Sequence, residues 1–450
     1  MQMIQRKSSI LLLTCWALLF LGAAALAHSE KAKLLYSFCT PVACADGEDV
    51  PNPVISDAAG NLFGTTQGGV DFKGAVYELH RRPDGGYKYE LLHVFDLPAI
   101  NPTGALVIDT RGNLYGVAEG FDVSGNFGRV FELSRQKHGE WSEKVLYNFC
   151  PAKPCTDGAF PVAGLAYANQ RSGVPYDGKS PLYGVTKEGG QYYGGTVFEL
   201  RPNRKGWVHR KLHDFCQSGS DCSDGEGPEA SLLVDDSGNL FGVTTYGGKN
   251  GGPGMLSGTV FELSPAGKTW VETVLYSFCG QASCADGAYP QSPVAFDAAG
   301  NLYGFTTTGG APCALEGHYD GCGVAYKIVP NGANSQETVL RNFCSEPGCR
   351  DGAYPESTPF LDGAGNLYGT ALAGGVLKYS WLQLGGGTVF EFSLADPNNT
   401  FRVLHRFCQE ASCSDGERPL GFIGDPGVAL IGASNMGGTY GGGAVYRLTP

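Results

Sequence analysis

Beyond its N-terminal apolar run, this 450-residue chain has no apolar residues recurring at helical spacing. That excludes helix bundles and sheets built from βα units. No second long apolar run follows residues 10–26, and a spanning helix needs about 20 such residues. Positive charge is short. Without Arg6 and Lys7, 30 basic residues stand against 44 acidic ones, a formal charge of −14. That balance argues against nucleic acid or an anionic membrane as partner. Also missing are a Ser-His-Asp order, metal-ligand spacing on one element and a Gly-rich phosphate loop. The expectation is therefore no catalytic residue, no metal and no cofactor.

Arg6 and Lys7 precede the apolar run, which ends in Ala25-Leu26-Ala27. A positive segment, an apolar segment and a small-x-small site make residues 1–27 a signal peptide cleaved after Ala27. Cys15 lies inside the apolar run and is not read as a lipidation site. Residues 28–450 are then expected to form one domain that is exported, periplasmic or extracellular, and monomeric.

What the chain has in quantity is repetition. Gly60-Asn61-Leu62-Phe63-Gly64 returns at 112–116, 238–242, 300–304 and 365–369, with looser copies at 181–184 and 428–432. Each is followed by a Gly-rich stretch and a Val-Phe-Glu-Leu-like run, as at 76–79, 130–133, 197–200, 260–263, 325–328, 389–392 and 445–448. A fixed period of this size means a repeat architecture. In the fifth copy, alternation and turn residues place strands at 292–297, 302–307, 323–329 and 337–343. Four antiparallel strands per copy make a propeller blade. The seven repeats begin near 34, 91, 145, 211, 274, 339 and 403. The chain enters on a fourth-strand sequence, 34–38, and leaves on a third strand, 444–448. Joined, the two ends complete one blade. The fold expected is all-β: a seven-bladed β-propeller with three-plus-one closure. An open β-solenoid gives no reason for the complementary ends.

Fourteen cysteines remain after Cys15. Six pairs recur at one place in the repeat: Cys39/Cys44, Cys150/Cys155, Cys216/Cys222, Cys279/Cys284, Cys344/Cys349 and Cys408/Cys413. The second copy carries Asp96 and Asn101 instead, and an insertion brings Cys313/Cys322. Joint loss and joint gain predict disulfides within single loops. In loops so short, their expected use is to stiffen the loop each one closes. Zinc would need four converging ligands.

The second-to-third loops and the fourth-to-first connections share one face, where variable loops on a rigid scaffold carry binding. The connections hold Asp46, Asp157, Asp224, Asp286, Asp351 and Asp415, each before Gly. Turn residues are the simpler reading and a cation-binding ring the sharper one. His93, His213 and His405 alternate with Tyr and Arg at one fourth-strand position, which reads as a tolerant surface site. Residues 246–257, 309–322 and 374–387 are the unusual loops, the first of them rich in glycine. Tyr379 and Trp381 are expected as binding anchors, with His318, Tyr319 and Asp320 as polar neighbours, or else as a plug folded back on the blade. Residues 169–180, on the opposite face, read as decoration.

The phrase Gly-Asn-Leu-Tyr-Gly followed by Gly-Thr-Val-Phe-Glu-Leu, clearest over 239–263, resembles the GloVer-type tandem repeat of exported bacterial proteins. The resemblance implies a β-propeller-like fold and supplies no activity. Function is expected to be an exported, non-catalytic binding or scaffold module for an extracellular carbohydrate or protein ligand, with no membrane contact after signal cleavage. The alternative is a propeller hydrolase or lyase on sugars or lactones, with carboxylates at the axial mouth.

Overall fold

The structure, a computed structural model, describes residues 32–40, 44–69, 73–96, 99–120, 127–219, 221–251, 256–313, 315, 321–376, 384–396, 400–425 and 429–449. Each Gly-Asn-Leu phrase closes a first-to-second strand turn. In the fifth copy the Asp297 carboxylate accepts from the backbone N–H of Ala299 and Asn301 and from the Asn301 amide. Gly300 between them has φ 82°, a conformation glycine takes without the cost a Cβ imposes. The same cage joins Asp57 to Asn61, Asp109 to Asn113, Asp235 to Asn239 and Asp362 to Asn366.

The second glycine of the phrase answers a different need. It lies opposite the aromatic residue of the third strand in every copy: Gly64–Tyr77, Gly116–Phe131, Gly184–Phe198, Gly242–Phe261, Gly304–Tyr326, Gly369–Phe390 and Gly432–Tyr446. The ring folds over the glycine and occupies the place of its absent side chain. A phenylalanine immediately after the preceding blade's outer strand then packs on that ring. The seven pairs are Phe38–Tyr77, Phe95–Phe131, Phe149–Phe198, Phe215–Phe261, Phe278–Tyr326, Phe343–Phe390 and Phe407–Tyr446, with centroids 4.9–5.1 Å apart. Glycine, ring and neighbouring phenylalanine form one interlock, repeated between all blades.

Seven sheets result. Blade four is representative, running outward from Leu233–Val234 through Leu240–Thr244 and Thr259–Ala266 to Thr269–Ser277, all antiparallel. Blade seven takes Glu417–Asp425, Ala429–Met436 and Ala444–Leu448 from the C-terminal end and Lys33–Ser37 from the N-terminal end. The expected propeller and its closure are both present. Among the described residues the only helical elements are three-residue 3-10 turns. No helix there is long and apolar enough to cross a membrane. Residues 169–180 are more than decoration: Tyr176 is fully buried and its backbone bonds to Ile108 and Thr110, tying blade three to blade two.

All seven expected cysteine pairs are bonded, each within its own loop: Cys39–Cys44, Cys150–Cys155, Cys216–Cys222, Cys279–Cys284, Cys313–Cys322, Cys344–Cys349 and Cys408–Cys413. Seven disulfides fit an oxidising compartment. Stiffening one loop is too narrow a role for Cys155, Cys284 and Cys349, and here the structure corrects the sequence reading. The carbonyl of each accepts twice. One donor is the glycine of the Asp-Gly step that follows: Gly158 for Cys155, Gly287 for Cys284 and Gly352 for Cys349. The other is a glycine of the second-to-third loop: Gly190, Gly310 and Gly375 in the same order. Both lone pairs of the carbonyl are used, so each pair anchors the connection to the neighbouring long loop as well as closing its own.

The Asp of each Asp-Gly step turns into that same disulfide loop. Asp46 accepts from the Tyr36 hydroxyl at 2.7 Å and from Thr40 N–H; Asp157 accepts from Tyr147 and Cys150 N–H, and Asp286 from Tyr276 and Gly280 N–H. Arg341 takes the tyrosine's part for Asp351 at 2.7 Å, and His405 faces Asp415 at 3.7 Å. The turn reading of these carboxylates stands. The reading of the histidine position as tolerant surface does not. His213 and His405 are buried, and the position varies because several side chains can face a carboxylate. His93, in the copy without Cys pair or Asp-Gly, faces Glu143 of the next blade at 3.2 Å.

The same outer position also joins neighbouring blades. Tyr36 stacks on Tyr89, Tyr147 on His209, and Arg341 lies 3.8 Å over Phe401. His213 meets Glu272 at 3.5 Å. Burial pushes the Glu272 carboxyl up to about 9, with Asp224 adding to it. Burial pulls His213 down to about 4 against the pull of Asp224 and Asp214. Unfolded, Glu272 releases its proton near 4.3. Between there and 9 the folded state holds the extra proton, so its contribution to stability falls as pH rises. His213 acts oppositely, but only between about 4 and 6.5. Above that the Glu272 slope is left uncompensated. Glu272→Gln should therefore flatten the fall in Tm between pH 7 and 9, and raise Tm most at pH 9. Calorimetric scans across that range check it. A slope identical to wild type means that this carboxyl ionises normally.

Candidate functional site

The Asp-Gly step continues as Asp-Gly-x-X-Pro-z, where the fourth residue X and the last residue z differ from copy to copy. X is Asp49, Phe160, Gly227, Tyr289, Tyr354 and Arg418, and all six have positive φ, between 54° and 65°. The conformation is set by the backbone. The N–H of Tyr289 donates to Ser257 O in the preceding blade, and its carbonyl accepts from Thr307 N–H in its own. Tyr354 and Arg418 likewise reach back to Cys322 and Gly386. The proline that follows fills the space over a glycine of the previous blade, as Pro290 does over Gly258. X and z are thereby held at the axial mouth, on the face of the long loops.

At z stand Pro51, Val162, Glu229, Gln291, Glu356 and Leu420, with Val50 in place of the proline in blade one and Thr103 at the matching place after Pro102 in blade two. Neighbours touch around the ring. Gln291 Nε2 donates to Glu229 Oε2 at 3.2 Å, and Asn52, the residue after z in blade one, donates to Thr103 O. Lys187, at the end of the second strand of blade three, meets Glu229 Oε1 at 3.0 Å. Glu119, at the corresponding place in blade two, has its carboxyl raised by burial, with Lys187 opposing.

A cavity of about 540 Å³ opens here between blades five, six and seven. Tyr289, Tyr354, Glu356 and Arg418 line it, with Thr307 and Leu372 from the second strands. The Tyr246 and Tyr289 hydroxyls are 3.3 Å apart. Burial pushes Tyr354 up to about 12, so its phenol keeps its proton. Glu356 is open to the cavity on one side and packed in protein on the others. That burial pushes its carboxyl up to about 7, with Arg418 opposing and Glu229 adding. A second cavity of about 490 Å³ lies across the face at blades two and three, lined by Phe127, Phe160, Lys153 and Tyr193. Lys153 sits 5.1 Å over the Phe127 ring, and Tyr193 is exposed. Cys155 borders this second cavity, a place its disulfide role alone did not predict. Cys284 and Cys349 line neither cavity and remain scaffold.

Tyr379, Trp381, His318, Tyr319 and Asp320 lie outside the described residues. The ends of their two loops are described, and Gly321, Leu384 and Gly385 border the larger cavity. Glu356, Arg418, Tyr289, Tyr354, Glu229 and Lys187 were missed by the sequence reading. For all but Lys187 a signal was available: X and z are the positions that vary most inside the recurring phrase.

Residues 167–383 match the Gloeobacter/Verrucomicrobia repeat family. No curated protein matches the chain. Among solved structures, an α-L-arabinofuranosidase of Fusarium graminearum in complex with arabinobiose aligns over 92% of this chain and 96% of its own, at 11% identity and TM-score 0.43. A polysaccharide lyase aligns over 92% of both chains, at 9% identity and TM-score 0.49. An oxidoreductase of the glucose dehydrogenase kind from Thermus thermophilus aligns over 72% and 91%, at 16% identity and TM-score 0.40. Likenesses of this depth carry nothing about activity or ligand.

Proposed function

We propose that this Gloeobacter/Verrucomicrobia-repeat chain is an exported, monomeric binding propeller that lays an extended carbohydrate across its axial mouth. The observation that carries the reading is the composition of the ring. Of the six positive-φ positions, Phe160, Tyr289 and Tyr354 are aromatic, and each borders one of two cavities on the same face. Flat rings suit the apolar faces of sugars. Glu356, Arg418 and the tyrosine hydroxyls around the larger cavity suit sugar hydroxyl groups. Two cavities on either side of one mouth suit a chain longer than a single sugar. Seven disulfides and residues 1–27 support export. Tyr379, Trp381, His318, Tyr319 and Asp320 are proposed as further ligand contacts.

The decisive variant is Tyr289→Gly combined with Tyr354→Gly. Blade four carries Gly227 at this position naturally, so the backbone accepts glycine and only the rings are lost. Calorimetric titration with a panel of neutral and uronate-containing oligosaccharides should show affinity lowered at least about tenfold with Tm preserved. Unchanged affinity in a folded double variant rules out these rings as the contact surface.

A further inference from the structure

The seven z positions are equivalent by architecture, yet two of them, Glu229 and Glu356, are acidic. They sit on blades four and six, with Gln291 of blade five between them. Their surroundings differ. Glu229 is held on both oxygens, by the Lys187 ammonium and by the Gln291 amide. Glu356 faces the 540 Å³ cavity and accepts no hydrogen bond among the described residues. Tyr289 feels the charge of both. One carboxylate is thus paired on both oxygens, and the other is half-buried against a ligand-sized space beside aromatic walls. Two carboxyl groups near enough to feel each other's charge, in opposed environments, can divide into an acid and a base.

The geometry points to a glycoside-cleaving activity in this mouth, with Glu356 as proton donor to the leaving oxygen and Glu229 as base for the attacking water. The inference rests on the carbohydrate reading above and adds catalysis to it. The Glu356 O–H proton passes to the glycosidic oxygen as the C1–O bond breaks and its electron pair returns to that oxygen. Water forms the new bond to C1, and its proton passes to Glu229. One water is consumed and two hydroxyl groups are produced. Direct attack by water inverts C1, a route that takes carboxyls about 6.5–9.5 Å apart. Glu356 raised to about 7 still carries its proton near neutrality, which a general acid needs. Arg418 and Tyr354 line the same cavity and are placed to hold the sugar at the bond to be cut.

The test uses the full chain, the same oligosaccharide panel, and release of reducing ends as the readout. Wild type should cleave an oligosaccharide that it binds. Its rate should fall as pH rises through about 7. Glu356→Gln should bind the same sugar within about tenfold and be slowed at least about 100-fold, with the fall at high pH abolished. Glu229→Gln should be slowed comparably. An oligosaccharide that binds in the wild-type mouth and stays intact overturns the catalytic inference and leaves the binding reading standing. Activity at the wild-type rate in folded Glu356→Gln overturns it as well. If no oligosaccharide in the panel binds, both readings fall together.

Discussion

A chain deleted of residues 28–40 should fail to give a stable monomer. The strand Lys33–Ser37 is the outer strand of blade seven, with Lys33 opposite Arg447, Leu34 opposite Tyr446 and Ser37 opposite Ala444. The deletion removes that ladder and leaves Ala444–Leu448 as an unpaired edge, open to association with other chains. It also removes Phe38, fully buried and 4.9 Å from Tyr77 of blade one, and Tyr36, stacked on Tyr89. Buried side chains of this kind contribute about 1.5–3 kcal/mol each. Losing several approaches the whole stability of an ordinary domain, about 5–15 kcal/mol. The cost comes from opening the ring, so supplying the strand elsewhere should restore folding. A permuted chain beginning at Gly47 and carrying residues 32–46 after a short linker at its C-terminus provides it. The register makes that junction a simple hairpin. Size-exclusion chromatography and thermal melting should show aggregation for the deletion and near-native Tm for the permutant. A deletion that melts as wild type does would mean that closure contributes little.

The blade was legible from Asp297-Ala298-Ala299-Gly300-Asn301 because its turn is local: cage and glycine lie within five residues. Closure was legible because two incomplete sequences at opposite ends add to one blade. The histidines were misread for a physical reason. The fourth-strand residue and its carboxylate lie ten residues apart, as in Tyr36–Asp46, Tyr147–Asp157 and Arg341–Asp351. A disulfide loop folds that distance to hydrogen-bond length, and no strand periodicity signals it. The pairing of Cys155, Cys284 and Cys349 was legible from joint loss and gain. Their second role was hidden, because it is carried by a backbone carbonyl that every residue type possesses.

The mouth was harder to read. Glu229 and Glu356 stand 127 positions apart, and Lys187 belongs to a third blade. Their convergence is a property of the ring, which brings the same position of every copy to one circle. Each copy alone shows an unremarkable Pro-Glu. Repetition also misdirects attention toward the constant Asp and Gly, which are spent on the loop itself, and away from the two variable positions that face the axis. The loops holding Tyr379 and Trp381 were singled out for length and aromatic content. Their described ends border the larger cavity, but length and aromatic content carried no indication of the ring's own residues.

Gly242→Ala should be among the most damaging single substitutions in a blade. A Cβ at Gly242 would lie 2.5 Å from Phe261 Cζ and 2.8 Å from Leu232 Cδ2, far inside van der Waals contact. The backbone itself accepts alanine, since Gly242 is not among the positive-φ glycines. The whole cost is therefore steric. Phe261 cannot swing away, because Phe215 of the preceding blade packs on it at 5.1 Å and both rings are fully buried. Relief requires strand Leu240–Thr244 to move, which strains its ladders on both sides. Overpacking of this kind costs about 1–3 kcal/mol and sometimes more, and here no flexible atom absorbs it. Gly238→Ala in the same blade is the comparison. Its Cβ meets nothing, but its φ is 84°, so it should cost about 1 kcal/mol by backbone strain. A second change separates the two mechanisms. Phe261→Leu should lessen the damage of Gly242→Ala, because the shorter side chain vacates the space the methyl needs, and should leave the effect of Gly238→Ala unchanged. Thermal or denaturant unfolding of the single and double variants gives the coupling. If Gly242→Ala and Phe261→Leu simply add, ring and glycine are not interlocked, and the contact between blades rests on something other than this sevenfold pair.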